Sequence, residues 1–172
     1  MTTTLHAART TTAAALLAGM AAAPGPAMAL VERLDDSASP SAQVRAQEDN
    51  TPITAPGPAN SPIVRIDFGR VHYRLATARY VGRQARIYYV LPMGIPGLRS
   101  PAGLQVSWRT NGLFSSGSGR PGDRVPVWTG QVRDAWMTEA LDLTWQVDSR
   151  EVRLSRGMPL GFEAYFEIET LP

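Results

Sequence analysis

The last twelve residues, GFEAYFEIETLP, alternate from Phe162 onward. Phe162, Ala164, Phe166 and Ile168 fall on one side of an extended chain; Glu163, Tyr165, Glu167 and Glu169 fall on the other. A period of two belongs to a strand with one face in a core and one in water, because successive side chains of a strand point to opposite faces. The same texture runs back to Ile63. IVRIDF, VHYRLATARYV, QARIYYVL, GLQVSW, RVPVW, ALDLTWQV and EVRLS read as further strands, broken by Gly, Pro, Asn and Asp. Seven or eight short strands over residues 63–172 predict an all-β domain, a single antiparallel β-sandwich of the immunoglobulin-like kind. A chain of that length buries well over half of its unfolded surface, so one core suffices. RDAWMTEAL (133–141) is open to two readings, a short helix capped by Asp134 or a loop feeding the next strand.

The residues before Ile63 have a different character. Met1 to Arg9 is weakly basic, Ala13 to Ala23 is apolar, and Ala27-Met28-Ala29 is a small-x-small triplet. That is the plan of a secretory signal peptide over 1–29, and its apolar run is too short for a membrane-spanning helix, which needs roughly 20 residues. Residues 30–62 are polar and carry Pro40, Pro52, Pro56, Pro58 and Pro62. Such a stretch buries too little apolar surface to offset its ordering entropy and is expected to be a disordered, Pro-rich linker. The expected localisation is therefore export: periplasm, cell surface or extracellular.

Composition narrows the chemistry. The chain has no cysteine, which excludes disulfides and thiolate chemistry. All 17 basic residues are arginine, which with abundant Ala, Gly and Pro points to a GC-rich bacterial genome. Without residues 1–29 the chain keeps 16 Arg against 15 acids, too even a balance for nucleic-acid binding. The charge is uneven along the chain, however. Residues 63–133 hold 11 Arg and two acids, whereas residues 134–172 hold three Arg and eight acids. The two halves either complement one another within a molecule or support head-to-tail association of copies.

One turn carries a geometric expectation. Gly82-Arg83 fits a two-residue type II′ hairpin. That register sets Tyr80, Ala78 and Ala76 against Ala85, Ile87 and Tyr89 in the core, and Leu75, Thr77 and Arg79 against Val90, Tyr88 and Arg86 on the other face. Arg79 opposite Arg86, with Arg83 in the turn, calls for a negative partner. Glu163, Glu167 and Glu169 of the last strand are the economical choice. The alternatives are an anionic glycan, a lipid headgroup, or acids on another subunit or envelope protein.

Motifs for catalysis fail on inspection. Gly117, Gly119 and Gly122 satisfy G-x-G-x-x-G, but Pro121 interrupts the pattern and a strand follows where a phosphate-binding helix should open. A mobile Gly/Ser loop is the better reading. His72 is the one histidine after residue 29, so neither a metal cluster nor a Ser/His/Asp set can be argued, and it shares a face with Arg74, Ala76 and Ala78. Glu167 and Glu169 sit about 7 Å apart at ~3.3 Å per residue, within the range of an inverting glycosidase, yet both look exposed. LPMGIPGLRSPAGL (91–104) reads as an apolar lid over one end of the sandwich, with an exposed contact patch for a partner or membrane surface as the alternative. Trp145 reads as core, and Trp108 and Trp128 either as core or as a sugar-binding face.

No cofactor is implied. The expected function is that of a non-catalytic surface, adhesion or assembly module. Its plan of export, sandwich and alternating terminal strand is similar to that of chaperone-assembled fimbrial subunits in pattern only. The alternatives are a binding domain for anionic glycan or envelope lipid through Arg79, Arg83 and Arg86, and an accessory glycan-active enzyme.

Overall fold

A computed structural model describes residues 30–39, 61–153 and 163–172. The expected signal segment 1–29, residues 40–60 of the expected linker, Phe162 and the end of EVRLS lie outside the described residues. Eight strands are present: β1 (Val31–Arg33), β2 (Ile63–Ala76), β3 (Gln84–Val90), β4 (Leu104–Arg109), β5 (Gly117–Gly119), β6 (Arg124–Gln131), β7 (Trp136–Asp148) and β8 (Tyr165–Thr170). They form two four-stranded antiparallel sheets, the first in the order β1-β8-β3-β6 and the second β2-β7-β4-β5.

The expected β-sandwich is thus present, but its strand order is not immunoglobulin-like. Strand 1 pairs with 8, 2 with 7, 3 with 6 and 4 with 5. That is one long antiparallel ribbon rolled up on itself, the jelly roll. Only β4 and β5 are consecutive neighbours in one sheet; every other connection crosses between sheets. An alternating pattern says that a strand has one buried face. It does not say in which sheet, because ladder hydrogen bonds come from the backbone and carry no sequence label.

The Gly82-Arg83 hairpin is corrected for that reason. β2 ends at Ala76 in the second sheet, Ala78–Tyr80 forms a turn of 3-10 helix, and β3 starts at Gln84 in the first sheet. Gly82 does turn the chain, with φ +86°, but its N–H donates to Val132, and Val132 donates to Arg83. β2 also faces inward through the opposite residues: Leu75 and Thr77 are buried, whereas Ala78 is exposed. A bulge explains the phase. The register with β7 shifts between Asp67 and Gly69, where Gly69 takes φ +72°. Only glycine enters that region without steric cost. Ile66 packs on the core before the bulge; Val71, Tyr73 and Leu75 do so after it.

Three further expectations change. Residues 30–39 are part of the fold rather than linker: Val31–Arg33 pair with β8, and Leu34 is 2% exposed in the core. Trp136–Asp148 is one continuous strand, which excludes a helix over residues 136–141. Gly117–Gly119 is strand β5 rather than a mobile loop.

The core holds the two sheets together. Phe166 is fully buried, with ring centroids 4.9 Å from Tyr73, 5.0 Å from Tyr89 and 5.7 Å from Phe114, and Tyr89 packs at 5.0 Å on Trp108. Fully burying such a side chain contributes roughly 1.5–3 kcal/mol, and each well-placed ring contact roughly 0.5–1.5 kcal/mol more. Ala164, Phe166 and Ile168 face this core as expected from their alternation. Leu91 and Ile95 are buried while Met93 is 69% exposed, so the 91–104 loop does close one end of the sandwich.

Candidate functional site

The outer face of the first sheet carries most of the residues singled out by sequence. Glu169 stands opposite Arg86 on neighbouring β8 and β3. The Tyr88 hydroxyl donates to the Glu169 carboxylate, and Arg86 donates to the Tyr88 hydroxyl and to Thr129 Oγ1, both at 3.4 Å. The hydrogen bond to Tyr88 raises the Arg86 pKa further. Arg124 of β6 lies over the Tyr88 ring and donates to Glu167 at 2.7 Å. Glu163 is 3.9 Å from Arg33, whose guanidinium also covers Tyr165. Each glutamate of the last strand therefore meets cations of its own molecule.

Arg79 and Arg86 are not opposed. Arg79 leaves the strand in the 3-10 turn and pairs with Glu32, which also accepts from the Tyr80 hydroxyl. That hydrogen bond, with the nearby Arg79 and Arg83 charges, holds the Glu32 carboxyl below its ordinary pKa. Arg83 is exposed in the turn. Arg79 and Arg83 thus act on one carboxylate, while Arg86 bonds Tyr88 and Thr129.

Charge complementarity extends through both sheets. The acidic half of the chain supplies β7 and β8: β7 lies between β2 and β4 of the basic half, and β8 has β3 of that half on one side. Arg70 of β2 forms two hydrogen bonds of 3.1 Å to Asp142 of β7, and this pairing holds the Asp142 carboxyl below its usual value.

The outer face of the second sheet is organised differently. A shallow depression of about 310 Å³ lies on β2 and β7, at the small end of the range for ligand sites. Ala140 is its low floor, with Arg70, His72, Thr138 and Asp142 around it and Asn111 and Gly112 forming a wall from the β4–β5 loop. The side chains of His72, Asn111 and Thr138 have no hydrogen-bond partner among the described residues, nor has Arg109, which stands opposite Asp142 on β4. Trp136 precedes Thr138 by two residues on the same face and is 42% exposed, with Arg74 4.5 Å above its ring.

The wall is fixed from beneath. Glu139 points into the sandwich and is 5% exposed, yet its carboxylate is satisfied: Thr110 Oγ1 donates at 2.7 Å, and the Phe114 and Ala140 N–H groups at 2.9 Å. Gly112 lies so close that a Cβ there would come within 2.2 Å of Glu139 Oε1. A glycine is required for that approach, and it holds Asn111 beside the depression.

Sequence reading passed over Trp136, Asn111, Thr138 and Asp142 and read His72 as structural. Trp108 and Trp145 are core and Trp128 packs against it, so the exposed tryptophan is the one that the ambiguous 133–141 segment concealed. The signal available was the outward period from Trp136 to Asp142, legible only once that segment is read as strand. Among the described residues no group of three His, Asp or Glu side chains is placed to hold a metal ion. The arrangement can hydrogen-bond and stack; it presents no nucleophile paired with a base. No protein-family model, curated protein or solved structure matches the chain.

Proposed function

We propose that this protein is an exported, non-catalytic binding module of a bacterial surface or envelope, with the outer face of the second sheet as its contact surface. The observation that carries the reading is the set of polar side chains on that face, His72, Asn111, Thr138 and Arg109, that have no partner within the described residues. Polar groups that the fold does not use are free to bind, whereas the first sheet spends its arginines and glutamates on each other. Export rests on the plan of residues 1–29. The interleaving of acidic and basic strands consumes the charge asymmetry that head-to-tail association would need, so adhesion is favoured over polymerisation.

Retention of the purified protein on isolated cell envelopes tests this. A His72→Ala/Asn111→Ala double variant should lose most of its retention, and Arg86→Ala on the first sheet should lose little. Equal retention of both variants and the parent would overturn the assignment of the face.

A further inference from the structure

Resting on that reading of the contact face, we infer that its ligand is an acidic glycan lying along β7, stacked on Trp136 and held by Arg74 and Arg109. Trp136, Thr138, Ala140 and Asp142 follow one another on the outer side of one strand. Two residues of strand advance about 6.7 Å, so the strip from Trp136 to Asp142 is roughly 20 Å long. It opens with an aromatic side chain, crosses a low alanine floor and ends on a carboxylate. Flanking it are hydrogen-bonding groups of both kinds: the His72 imidazole, the Asn111 amide and the Thr138 hydroxyl. A sugar ring matches that sequence of chemistries, with a C–H face to lie on an indole and a rim of hydroxyls that both donate and accept.

Charge selects among sugars. On this face Arg65 pairs with Asp67 and Arg70 with Asp142. Arg74 and Arg109 have no carboxylate partner among the described residues. They stand in register with Thr138 and Asp142, four residues apart on β7, or about 13 Å along the strand. Two guanidinium groups without a salt bridge among the described residues, Arg74 over the Trp136 ring and Arg109 in register with Asp142, stand at that spacing on either side of a strip suited to sugars and fit carboxylates carried on successive parts of a polysaccharide. Guanidinium recognises a carboxylate by paired hydrogen bonds. The near-zero net charge does not favour nucleic acid.

Titration calorimetry of the full protein with polygalacturonate, its fully methyl-esterified form and phosphatidylglycerol vesicles tests the inference. Polygalacturonate should bind, and esterification should weaken it at least tenfold. Trp136→Ala and Arg109→Glu should each cost about tenfold, Trp136→Phe should retain most affinity, and Arg124→Ala on the first sheet should change nothing. Circular dichroism of each variant confirms folding. No binding of polygalacturonate, binding equal to that of the ester, binding insensitive to Trp136→Ala and Arg109→Glu, or binding of vesicles alone would each overturn it. If envelope retention still depends on His72 and Asn111 after such a result, the contact face stands and the glycan falls; if neither depends on this face, both fall.

Discussion

The outer faces of the two sheets are built from the same residue types and end in opposite states. On the first sheet Arg124, Tyr88, Glu167, Glu169 and Arg86 form a connected network in which each charged or hydroxyl group has a neighbour to bind. On the second, Arg70 and Asp142 pair, but His72, Asn111 and Thr138 around a depression, and Arg109 on β4, have no hydrogen-bond partner among the described residues. The difference is one of neighbours rather than composition. Glu167 and Glu169 of β8, with Glu163 just before it, lie beside arginine-bearing strands, whereas β7 turns only two acids outward, Asp142 and Asp148, and Asp148 is taken by Arg150. A face that satisfies itself is a poor site, and one that does not is a candidate.

The harshest way to break the comparison is to remove β8, since both faces hang on one core. Deleting residues 163–172 takes out the strand between β1 and β3 together with Phe166 and Ile168. Urea unfolding followed by circular dichroism should then show no cooperative transition. A truncated protein that kept one would mean that the second sheet stands alone. Phe166→Ala is the milder form of the same test and should cost about 3–5 kcal/mol in urea.

Alkali probes the bond between the sheets. Tyr73 and Tyr89, one from each sheet, meet hydroxyl to hydroxyl at 3.3 Å, and burial raises both pKa values, that of Tyr89 well above the ordinary tyrosine value. Because the folded pKa exceeds the unfolded one, the stabilisation is full below about pH 10 and is lost as pH rises from there through the folded value. Each group steepens that loss by at most about 1.4 kcal/mol per pH unit. Unfolding at stepped pH should show the decline, and it should flatten in Tyr73→Phe/Tyr89→Phe. An unchanged slope would contradict the burial assignment.

Two carboxylates sharpen the contrast between faces. Glu139→Ala leaves the Phe114 N–H without its acceptor and should cost about 1–3 kcal/mol, while freeing the Asn111–Gly112 wall. Glu167→Ala on the first sheet removes a surface pair with Arg124 and should cost less than about 1 kcal/mol. Denaturation midpoints that ranked these two in reverse would show that the first face, not the wall, is the stabilising network.

Much of the fold was legible because strand periodicity is local. Ala164, Phe166 and Ile168 are inward as their alternation requires, and the glutamates are outward, where they meet arginines. Ala85, Ile87 and Tyr89 are inward too, although the hairpin register that placed them there does not form. What failed was contact across space. Leu75 and Thr77 differ from expectation because their side is counted back from a Gly82-Arg83 hairpin that does not form: β2 and β3 belong to different sheets, and the 3-10 turn Ala78–Tyr80 lies between them. β1 was hidden in a proline-rich stretch because three residues are too short for a period to show. The groove was hidden because its members come from β2, β7 and the β4–β5 loop, whose adjacency no spacing reveals.

The sequence by itself determined an all-β chain without thiols, the inner and outer sides of its clearest strands, and the supply of charges on each half. Those follow from side-chain alternation and composition, which need only the covalent order of residues. Only the tertiary structure decided that the ribbon rolls into a jelly roll, that Glu163, Glu167 and Glu169 meet Arg33, Arg124 and Arg86, and that β7 leaves its face open. The reason is that strands join through backbone groups common to every residue. Which charges become neighbours is therefore set by how the sheets close around Phe166 and the aromatic core.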